Sequence, residues 1–341
     1  MKKNWLWVLL FLVVSCKNQR GETTVAYQKI SGRTMGTTYQ VTYQSSQDIK
    51  PIVEVVLKEV NAGVNHYDPN SAISKVNQTI GSQVALDNTP INEHFFKNLQ
   101  RAKEIYATTE GAFDPTVMPL VNYWGFGYTP KKPVTQIDSF KVDSLLRLVG
   151  FDNIQLQENR VQKAIPTIQL DFSAIAKGYG VDQVGETLEA QGIQHYLVDI
   201  GGEVRAKGIN HRGIPWQLGI NTPSEAAAIS DYVAVIALDN QAMATSGNYR
   251  NFYEVDGVKY AHTINPKTGY PERNTILSAT VLAADCMTAD GYATAFMTMG
   301  LEKAFALATA QKDIHAYFLY AKEDGTIGVR YTEGMKAFIV E

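Results

Sequence analysis

The sequence predicts an α+β or mixed α/β protein, and three observations support this prediction. The chain has 341 residues, of which 45% are apolar and 19% are charged, so it is long and apolar enough to bury a large core. Stretches with helical periodicity alternate with short strand-like runs, and no internal repeat occurs. No strand-like run is followed by GxGxxG, and no GxxxxGK(S/T) segment occurs. Neither a Rossmann dinucleotide site nor a P-loop is therefore indicated.

The predicted elements extend from residue 37 to residue 340. Amphipathic periodicity predicts helices near residues 50–63, 92–109, 138–149, 175–191, 288–299 and 301–311. Apolar and β-branched runs predict strands near residues 37–43, 195–200, 216–220, 232–238, 258–264, 276–283, 314–320 and 337–340. The net charge of −3 gives no electrostatic reason to expect nucleic acid as a partner.

The N-terminus has the pattern of an export signal. Two lysines precede an apolar stretch, Trp5–Val14, which is too short to span a bilayer as a stable helix. A serine and then Cys16 end this stretch, as in the lipobox of bacterial lipoproteins, where the cysteine becomes the lipidated N-terminus. The alternative is an ordinary signal peptide with an incidental cysteine. We expect residues 1–16 to be a lipoprotein signal peptide with its lipobox and residues 17–26 to be a polar tether.

The second of the two cysteines, Cys286, has no partner if Cys16 carries a lipid. The folded part of the chain then has no disulfide and depends on its core. We expect Cys286 to be a buried free thiol in or beside the helix that carries Asp290. It is not predicted to be a nucleophile, because nothing around it marks a lowered thiol pKa.

A pair of oxygen-bearing side chains marks the helix predicted at 288–299. Asp290 and Thr294 are four residues apart and so share one helix face. Both are hard oxygen donors, and Mg²⁺ commonly takes one or two protein carboxylates and leaves its other positions to water and substrate phosphate. The structural alternative is that Asp290 complements the helix dipole and that Thr294 bonds back to its own turn. From this pair alone, both interpretations stay open.

Several glycine-rich clusters join permissive backbone to charged or hydroxyl groups, the composition expected where main chain approaches a ligand closely. Taken singly, each would also suit an ordinary turn. The clusters are RTMGTTYQVTY (Arg33–Tyr43), GAFDPTVMPLVNYWGFG (Gly111–Gly127), DFSAIAKGYGVD (Asp171–Asp182), DIGGEVRAKG (Asp199–Gly208), ATSGNY (Ala244–Tyr249) and HTINPKTGYP (His262–Pro271).

Taken together and in this order, the motifs resemble the ApbE family, the FAD:protein FMN transferases. The matching segments are MGTxYxV, GxFDPTV with WGFG, KGYxVD, IGGE, ATSGxY, HxIxPxTGxP and ADxxAT, and they cover nearly everything from residue 30 to 340. The resemblance implies a mixed α/β core of antiparallel-rich sheets with packed helices, forming a single compact catalytic unit over residues 27–341.

The resemblance also implies a reaction. Members of the family bind FAD with Mg²⁺ and move its FMN half onto a Ser or Thr hydroxyl of a partner protein, and AMP leaves. The partners are typically flavin-carrying subunits of membrane electron-transport complexes outside the cytoplasm. This agrees with an exported chain that is lipid-anchored on the periplasmic side of a bacterial membrane.

The resemblance assigns roles to individual positions. The metal side chains correspond to Asp290 and Thr294, with the backbone carbonyls of Ala174 and Ala293 as further ligands. The FAD contacts correspond to Met35, Tyr67, Ala112, Phe113, Asp114, Asp171, Lys177 and Ile264. One departure is Asn265, where Asp is also common in the family, and we expect this amide to organise its turn rather than to bind metal.

The chemistry of the reaction indicates two catalytic side chains. Cleavage of a diphosphate by a hydroxyl requires positive charge at the phosphates and a base for the hydroxyl proton. Lys177 is the candidate cation, and His262 is the candidate base because an unperturbed imidazole titrates near neutrality. The alternative for a lone histidine is a structural residue. The remaining histidines have no HxxxH or Cys/His spacing, so a zinc site is not predicted.

Three functions are compatible with these residues. The first is the FMN transferase. The second is an FAD diphosphatase, in which water replaces the protein hydroxyl and releases FMN and AMP from the same site. The third is a non-enzymatic FAD-binding or carrier lipoprotein, which would not require Asp290, Thr294 and His262 together.

Overall fold

The structure is a computed structural model, and it describes residues 25–128, 137–223, 231–248, 252–255 and 258–340. The predicted signal peptide and nearly all of the predicted tether lie outside these ranges. Among the described helices, none has the length and apolar character needed to cross a membrane.

The described residues form eight α-helices, which differ widely in length. They are α1 (Lys50–Val64), α2 (Ala72–Gln78), α3 (Pro90–Thr108), α4 (Met118–Tyr123), α5 (Ser139–Leu146), α6 (Ala176–Ala190), α7 (Cys286–Met299) and α8 (Leu301–Ala310). Short 3₁₀ turns occur at Phe151–Asn153 and Glu333–Phe338.

Sixteen strands accompany these helices in the described ranges. In chain order they are β1 (Tyr27–Thr34), β2 (Thr37–Gln44), β3 (Gln83–Ala85), β4 (Ile154–Gln157), β5 (Arg160–Lys163), β6 (Tyr196–Ile200), β7 (Glu203–Lys207), β8 (Trp216–Asn221), β9 (Tyr232–Leu238), β10 (Gln241–Gly247), β11 (Phe252–Val255), β12 (Val258–Ala261), β13 (Ile276–Ala283), β14 (Ile314–Ala321), β15 (Ile327–Tyr331) and β16 (Ile339–Val340).

An eight-stranded sheet forms the centre of the molecule, in the order β1-β2-β6-β7-β10-β13-β14-β15. Every neighbouring pair in it is antiparallel. Two three-stranded sheets, β16-β9-β8 and β3-β5-β4, and the hairpin β11-β12 complete the β-structure of the described residues. The predicted α+β class with antiparallel-rich sheets is therefore confirmed.

The central sheet is covered on both faces, which explains why its middle strands are apolar on both sides. In β14, Ala316 and Phe318 face the helices, whereas Tyr317 and Leu319 face the β16-β9-β8 sheet. Helices α1, α3, α6, α7 and α8 form the first covering layer. Because successive strand residues point to opposite faces, this alternation fixes the strand register.

Helix α7 lies between the sheet and the other helices, and almost every side of it is buried. Such enclosure suits its sequence, since a helix that is apolar all round belongs in a core. Asp285 caps it by accepting the N–H of Thr288 at 2.8 Å, and Asp182 of α6 accepts the N–H groups of Cys286 and Met287, each at 2.8 Å. The helix start is therefore satisfied without Asp290.

Two tight turns at one end of the sheet bring chemistry-bearing residues to a common region. Met35 and Gly36 join β1 to β2 with φ of 48° and 73°, a conformation that costs free energy at a non-glycine residue such as Met35. Gly201 and Gly202 join β6 to β7 with φ of 67° and 104°, and Glu203 follows directly.

The predicted helices are all present, with ends shifted by up to three residues. Two predicted strands are too long: the strand predicted at 258–264 ends at Ala261, where the chain turns into the loop of the HTINPKTGYP segment, and the one predicted at 337–340 is shortened by the 3₁₀ turn that precedes it. The strands β1, β3, β4, β5, β7, β10, β11 and β15 and the helices α2 and α4 were not predicted. Most of the unpredicted strands are short or polar, and pairing with neighbouring strands rather than local preference makes them extended.

Candidate active site

A cavity of about 400 Å³ opens between α7, the loop before α6, the turn into β7 and the HTINPKTGYP loop. This size suits a small-molecule site. It brings together the predicted site residues from segments far apart in sequence. Those that line it are Tyr67, Ala112, Phe113, Asp114, Asp171, Ala174, Lys177, His262, Ile264, Asp290 and Thr294.

Two predicted site residues are not among the lining residues of this cavity. Met35 lines a neighbouring cavity of about 450 Å³, which shares Tyr67 and Lys177 with the first. Ala293 lies in the interior of α7 with a fully buried side chain. Its carbonyl is a regular acceptor of the helix ladder, so coordination would have to be made in addition to that bond.

Asp290 and Lys177 meet at the floor of the cavity. Asp290 is 3% exposed, and its Oδ2 accepts the N–H of Gly178 at 3.1 Å. The Lys177 ammonium lies 4.0 Å from this oxygen and 2.6 Å from Oε1 of Glu203. Two buried carboxylates therefore flank one ammonium.

Burial and charge act against each other in this group. Burial lowers the pKa of Lys177, but the carboxylates of Asp290 and Glu203 more than offset that effect and raise it above its usual value. Burial raises the pKa of Asp290 and of Glu203, and in both cases the ammonium of Lys177 opposes the change. The lysine is thus held in its charged form.

Thr294 lies one turn after Asp290, and its Oγ1 is 3.1 Å from Oγ of Ser246 on β10. The hydroxyl is therefore paired with a second hydroxyl across the cavity rather than bonded back into its own helix, as the structural alternative required. Asp290 is not the cap of α7, which is Asp285. Asp290 and Thr294 thus place two hard oxygen donors on the cavity wall.

A further part of the cavity wall comes from the segment of Ala112–Asp114. The carboxylate of Asp114 accepts the N–H of Thr116 at 2.8 Å and the N–H of Phe151 at 3.2 Å. Burial raises the pKa of Asp114 to about 6 despite these bonds. Thr298 of α7 ties this wall to the helix, since its hydroxyl donates to the carbonyl of Ala112 at 2.7 Å.

The rim of the cavity is aromatic. Tyr67 is 60% exposed and its ring centroid is 4.4 Å from that of His66, while Tyr128 lies 6.4 Å from Tyr67. Below them, Nδ1 of His66 is 3.5 Å from Oδ1 of Asp171. Exposed aromatic faces at a cavity mouth are suited to stacking on a planar ring.

His262 follows β12 directly and lines the same cavity. Its ring meets that of Phe126 edge-on, with 6.3 Å between the ring centroids. The loop after it is organised by Asn265, whose amide donates to Glu272 at 2.6 Å and whose Oδ1 accepts the N–H of Lys267 at 2.8 Å. These bonds agree with the predicted turn-forming role of Asn265.

Seven polar residues that line the cavity were not predicted as site residues: His66, Ser173, Glu203, Thr245, Ser246, Thr263 and Thr298. Glu203 belongs to the IGGE motif and Ser246 to the ATSGxY motif, so the motifs contained the signal. Cys286, in contrast, matches its prediction, since it is fully buried at the first residue of α7 and burial raises the pKa of its thiol.

No cluster of three or more His, Cys, Asp or Glu side chains that would hold a metal occurs in the described ranges. A cation that takes a single carboxylate does not need such a cluster. Asp290 and Thr294 supply one carboxylate and one hydroxyl on the same wall, the donor set that suits Mg²⁺ bound together with substrate phosphate.

Comparison with known proteins decides the family. A sequence model described as the ApbE family matches residues 35–318, which is most of the chain. The chain belongs to the ApbE family. An ApbE relative from Haemophilus influenzae, named FAD:protein FMN transferase, is 42% identical over 320 residues and 90% of each chain is covered. A relative of the same name from Vibrio cholerae is 37% identical over 332 residues, with 95% of each chain covered.

A solved ApbE structure has the same fold. The flavin transferase ApbE from Vibrio cholerae superposes with a TM-score of 0.83 at 36% identity, covering 92% of this chain and 100% of that one. The motifs that carried the resemblance in the sequence therefore belong to a shared fold as well as to a shared family.

One glycine fixes the distance between α6 and α7. A Cβ added to Gly178 would lie 2.4 Å from the carbonyl oxygen of Cys286, a backbone atom that has no room to move. We predict that Gly178→Ala separates the two helices and lowers the free energy of unfolding by about 1–3 kcal/mol, as overpacking does. Chemical denaturation measures this loss. Ala190→Ser, at the last residue of α6, is the control and should unfold close to the wild type. Gly192→Ala is not a suitable control, because φ at Gly192 is positive.

Proposed function

We propose that this chain is an FAD:protein FMN transferase. It moves FMN from FAD onto a Ser or Thr hydroxyl of a target flavoprotein through a phosphoester bond, and it releases AMP. The observation that carries the proposal is the single cavity in which Asp290, Thr294, Lys177 and His262 meet, in a chain 42% identical to a relative with that name.

The reaction balances without an oxidant or a further substrate. The acceptor oxygen attacks the phosphorus of the FMN half, a new phosphoester bond forms, and the bond from that phosphorus to the bridging oxygen breaks. AMP leaves with this oxygen, and the hydroxyl proton passes to a base. Such a displacement requires positioning and charge stabilisation rather than covalent catalysis by the enzyme.

Asp290 and Thr294 are the proposed side-chain ligands of Mg²⁺. The backbone carbonyls of Ala174 and Ala293 are the remaining ligands that the protein is proposed to supply. The fit is supported by chemistry, because a buried carboxylate and a hydroxyl on one wall are hard oxygen donors. When bound, Mg²⁺ would neutralise charge on the diphosphate.

Lys177 and His262 have separate proposed roles. Lys177 keeps its positive charge between two carboxylates, so it is suited to hold a phosphate oxygen near Asp290. His262 lines the same cavity and is proposed to accept the proton of the attacking hydroxyl.

The remaining cavity residues are proposed to hold FAD. They are Met35, Tyr67, Ala112, Phe113, Asp114, Asp171 and Ile264, with Lys177 shared between binding and catalysis. The exposed ring of Tyr67 at the rim and the apolar side chains of Phe113 and Ile264 inside the cavity support this assignment, since FAD presents two flat ring systems joined by a charged link.

The setting of the reaction is also a proposal. The sequence pattern of residues 1–16 supports export and lipidation of Cys16, with the folded unit on the periplasmic side of a bacterial membrane. The acceptors would then be flavoprotein subunits of membrane electron-transport complexes, presenting a Ser or Thr to the cavity.

Product analysis tests the reaction class. The full chain in detergent is incubated with FAD and Mg²⁺, with and without an acceptor flavoprotein, and AMP and free FMN are followed by chromatography. A transferase releases AMP only when acceptor is present and leaves little free FMN. Equal AMP and free FMN without acceptor would instead identify an FAD diphosphatase, and bound but intact FAD would identify a carrier.

A further inference from the structure

The ammonium of Lys177 is shared unequally between its two carboxylate neighbours. It lies 2.6 Å from Oε1 of Glu203 but 4.0 Å from Oδ2 of Asp290, the outer limit of an ion pair. The ammonium of Lys177 is therefore paired with Glu203 rather than with Asp290. The carboxylate of Asp290 keeps only the N–H of Gly178 as a close donor among the described residues.

The carboxylate of Glu203 is held more firmly than the ammonium of Lys177. Glu203 begins β7, which pairs with β6 and β10, and the residue is 5% exposed. The turn before it is closed by Asp199, whose Oδ1 accepts the N–H of Gly202 at 2.9 Å. The ammonium of Lys177, in contrast, is attached through a flexible chain of about four carbons. It can therefore move from one carboxylate to the other.

One carboxylate oxygen of Glu203 lowers the stability of the fold, which indicates that Glu203 is kept for function. Its Oε2 is buried and has no hydrogen-bond partner among the described residues. A buried acceptor without a donor costs free energy, and such groups are rare unless something other than stability maintains them. An apolar residue in its place would avoid this cost.

We propose that Glu203 is a positioning residue that holds Lys177 away from Asp290 and so keeps the Asp290 carboxylate open to a divalent cation. This proposal rests on the metal site of the proposed function. Without Glu203, Asp290 becomes the sole close carboxylate for the ammonium among the described residues, and the ammonium then competes with the metal for the same oxygen atoms. Glu203 acts through Lys177 and is not itself a metal ligand.

Binding of Mn²⁺, followed by the electron paramagnetic resonance signal of the free ion, tests the proposal without any turnover. Mn²⁺ accepts the same hard oxygen donors as Mg²⁺. The full chain in detergent is compared with Glu203→Gln, Lys177→Met and the double variant. We expect Glu203→Gln to weaken Mn²⁺ binding about tenfold, because the freed ammonium gains a charged partner on Asp290.

The double variant separates an action through Lys177 from a direct action on the metal. With methionine at position 177, adding Glu203→Gln should change Mn²⁺ binding by less than about twofold, since no ammonium remains to be held. Glu203→Asp, which keeps the charge, should bind Mn²⁺ more tightly than Glu203→Gln. An unchanged affinity in Glu203→Gln, or the same tenfold loss in both backgrounds, would overturn the proposal.

Asp290→Asn keeps this result distinct from a failure of the metal site itself. Wild-type binding that is lost in Asp290→Asn supports the site, whatever Glu203 does. A wild-type chain that binds no Mn²⁺ would overturn both the metal assignment and the role of Glu203. Thermal unfolding of each variant shows that the changes arise in a folded chain.

Discussion

Asp290→Asn is expected to abolish Mg²⁺-dependent turnover of FAD while leaving the fold intact. The substitution keeps the shape of the side chain and an acceptor for the N–H of Gly178, but it removes the charge that would attract the cation. Since the metal contributes several kcal/mol to such transition states, the loss in kcat/KM should be about 1,000-fold or more. Rates measured against Mg²⁺ concentration check this.

Asp285→Asn is the matched control for this experiment. Asp285 is five residues earlier, caps the same helix and is absent from the lining of the proposed active-site cavity. Asparagine is as good an N-cap as aspartate, so stability and turnover should both stay near wild type. Turnover of Asp290→Asn that survives at a similar rate would remove Asp290 from the metal site.

His262→Asn is expected to separate binding from chemistry. If His262 accepts the hydroxyl proton, its loss should lower the rate of FMN transfer by about 100- to 10,000-fold, the usual contribution of a general base. FAD binding should change little, because the remaining cavity residues are untouched. Flavin fluorescence gives the binding constant, and single-turnover AMP release gives the rate.

His211→Asn controls for the loss of an imidazole elsewhere, because His211 is exposed and lies outside the cavity. It should transfer FMN at the wild-type rate. Loss of FAD binding in His262→Asn, in step with the loss of transfer, would make His262 a positioning group and would refute the base assignment.

Local sequence signals predicted the parts of this fold that depend on local pattern. The helix that carries Asp290 and Thr294 was predicted at 288–299 from its periodicity, and it lies at Cys286–Met299. Two strands at the centre of the sheet, β7 and β10, were not predicted. In β10, the sequence QAMATSG has small and polar residues, and it is extended because β7 and β13 pair with it on either side.

The active site could likewise be predicted only in part. Each motif predicted the cavity-lining side chains of its own segment, and the folded sheet brings these segments together. The pairing of Lys177 with Glu203 was not predictable in this way, because the IGGE motif marks Glu203 but does not show which side chain it contacts. Only the close approach of α6, α7 and the turn into β7 makes it a buried neighbour of Lys177 and Asp290.

The mass of an intact acceptor protein tests the central claim most directly. An acceptor flavoprotein is incubated with the chain, FAD and Mg²⁺, and its mass is measured together with the AMP released. The account predicts a gain equal to FMN less one water, in a one-to-one ratio with AMP, and no gain when the acceptor's Ser or Thr is replaced by alanine. An acceptor of unchanged mass, while FAD is cleaved to AMP and free FMN, would contradict it.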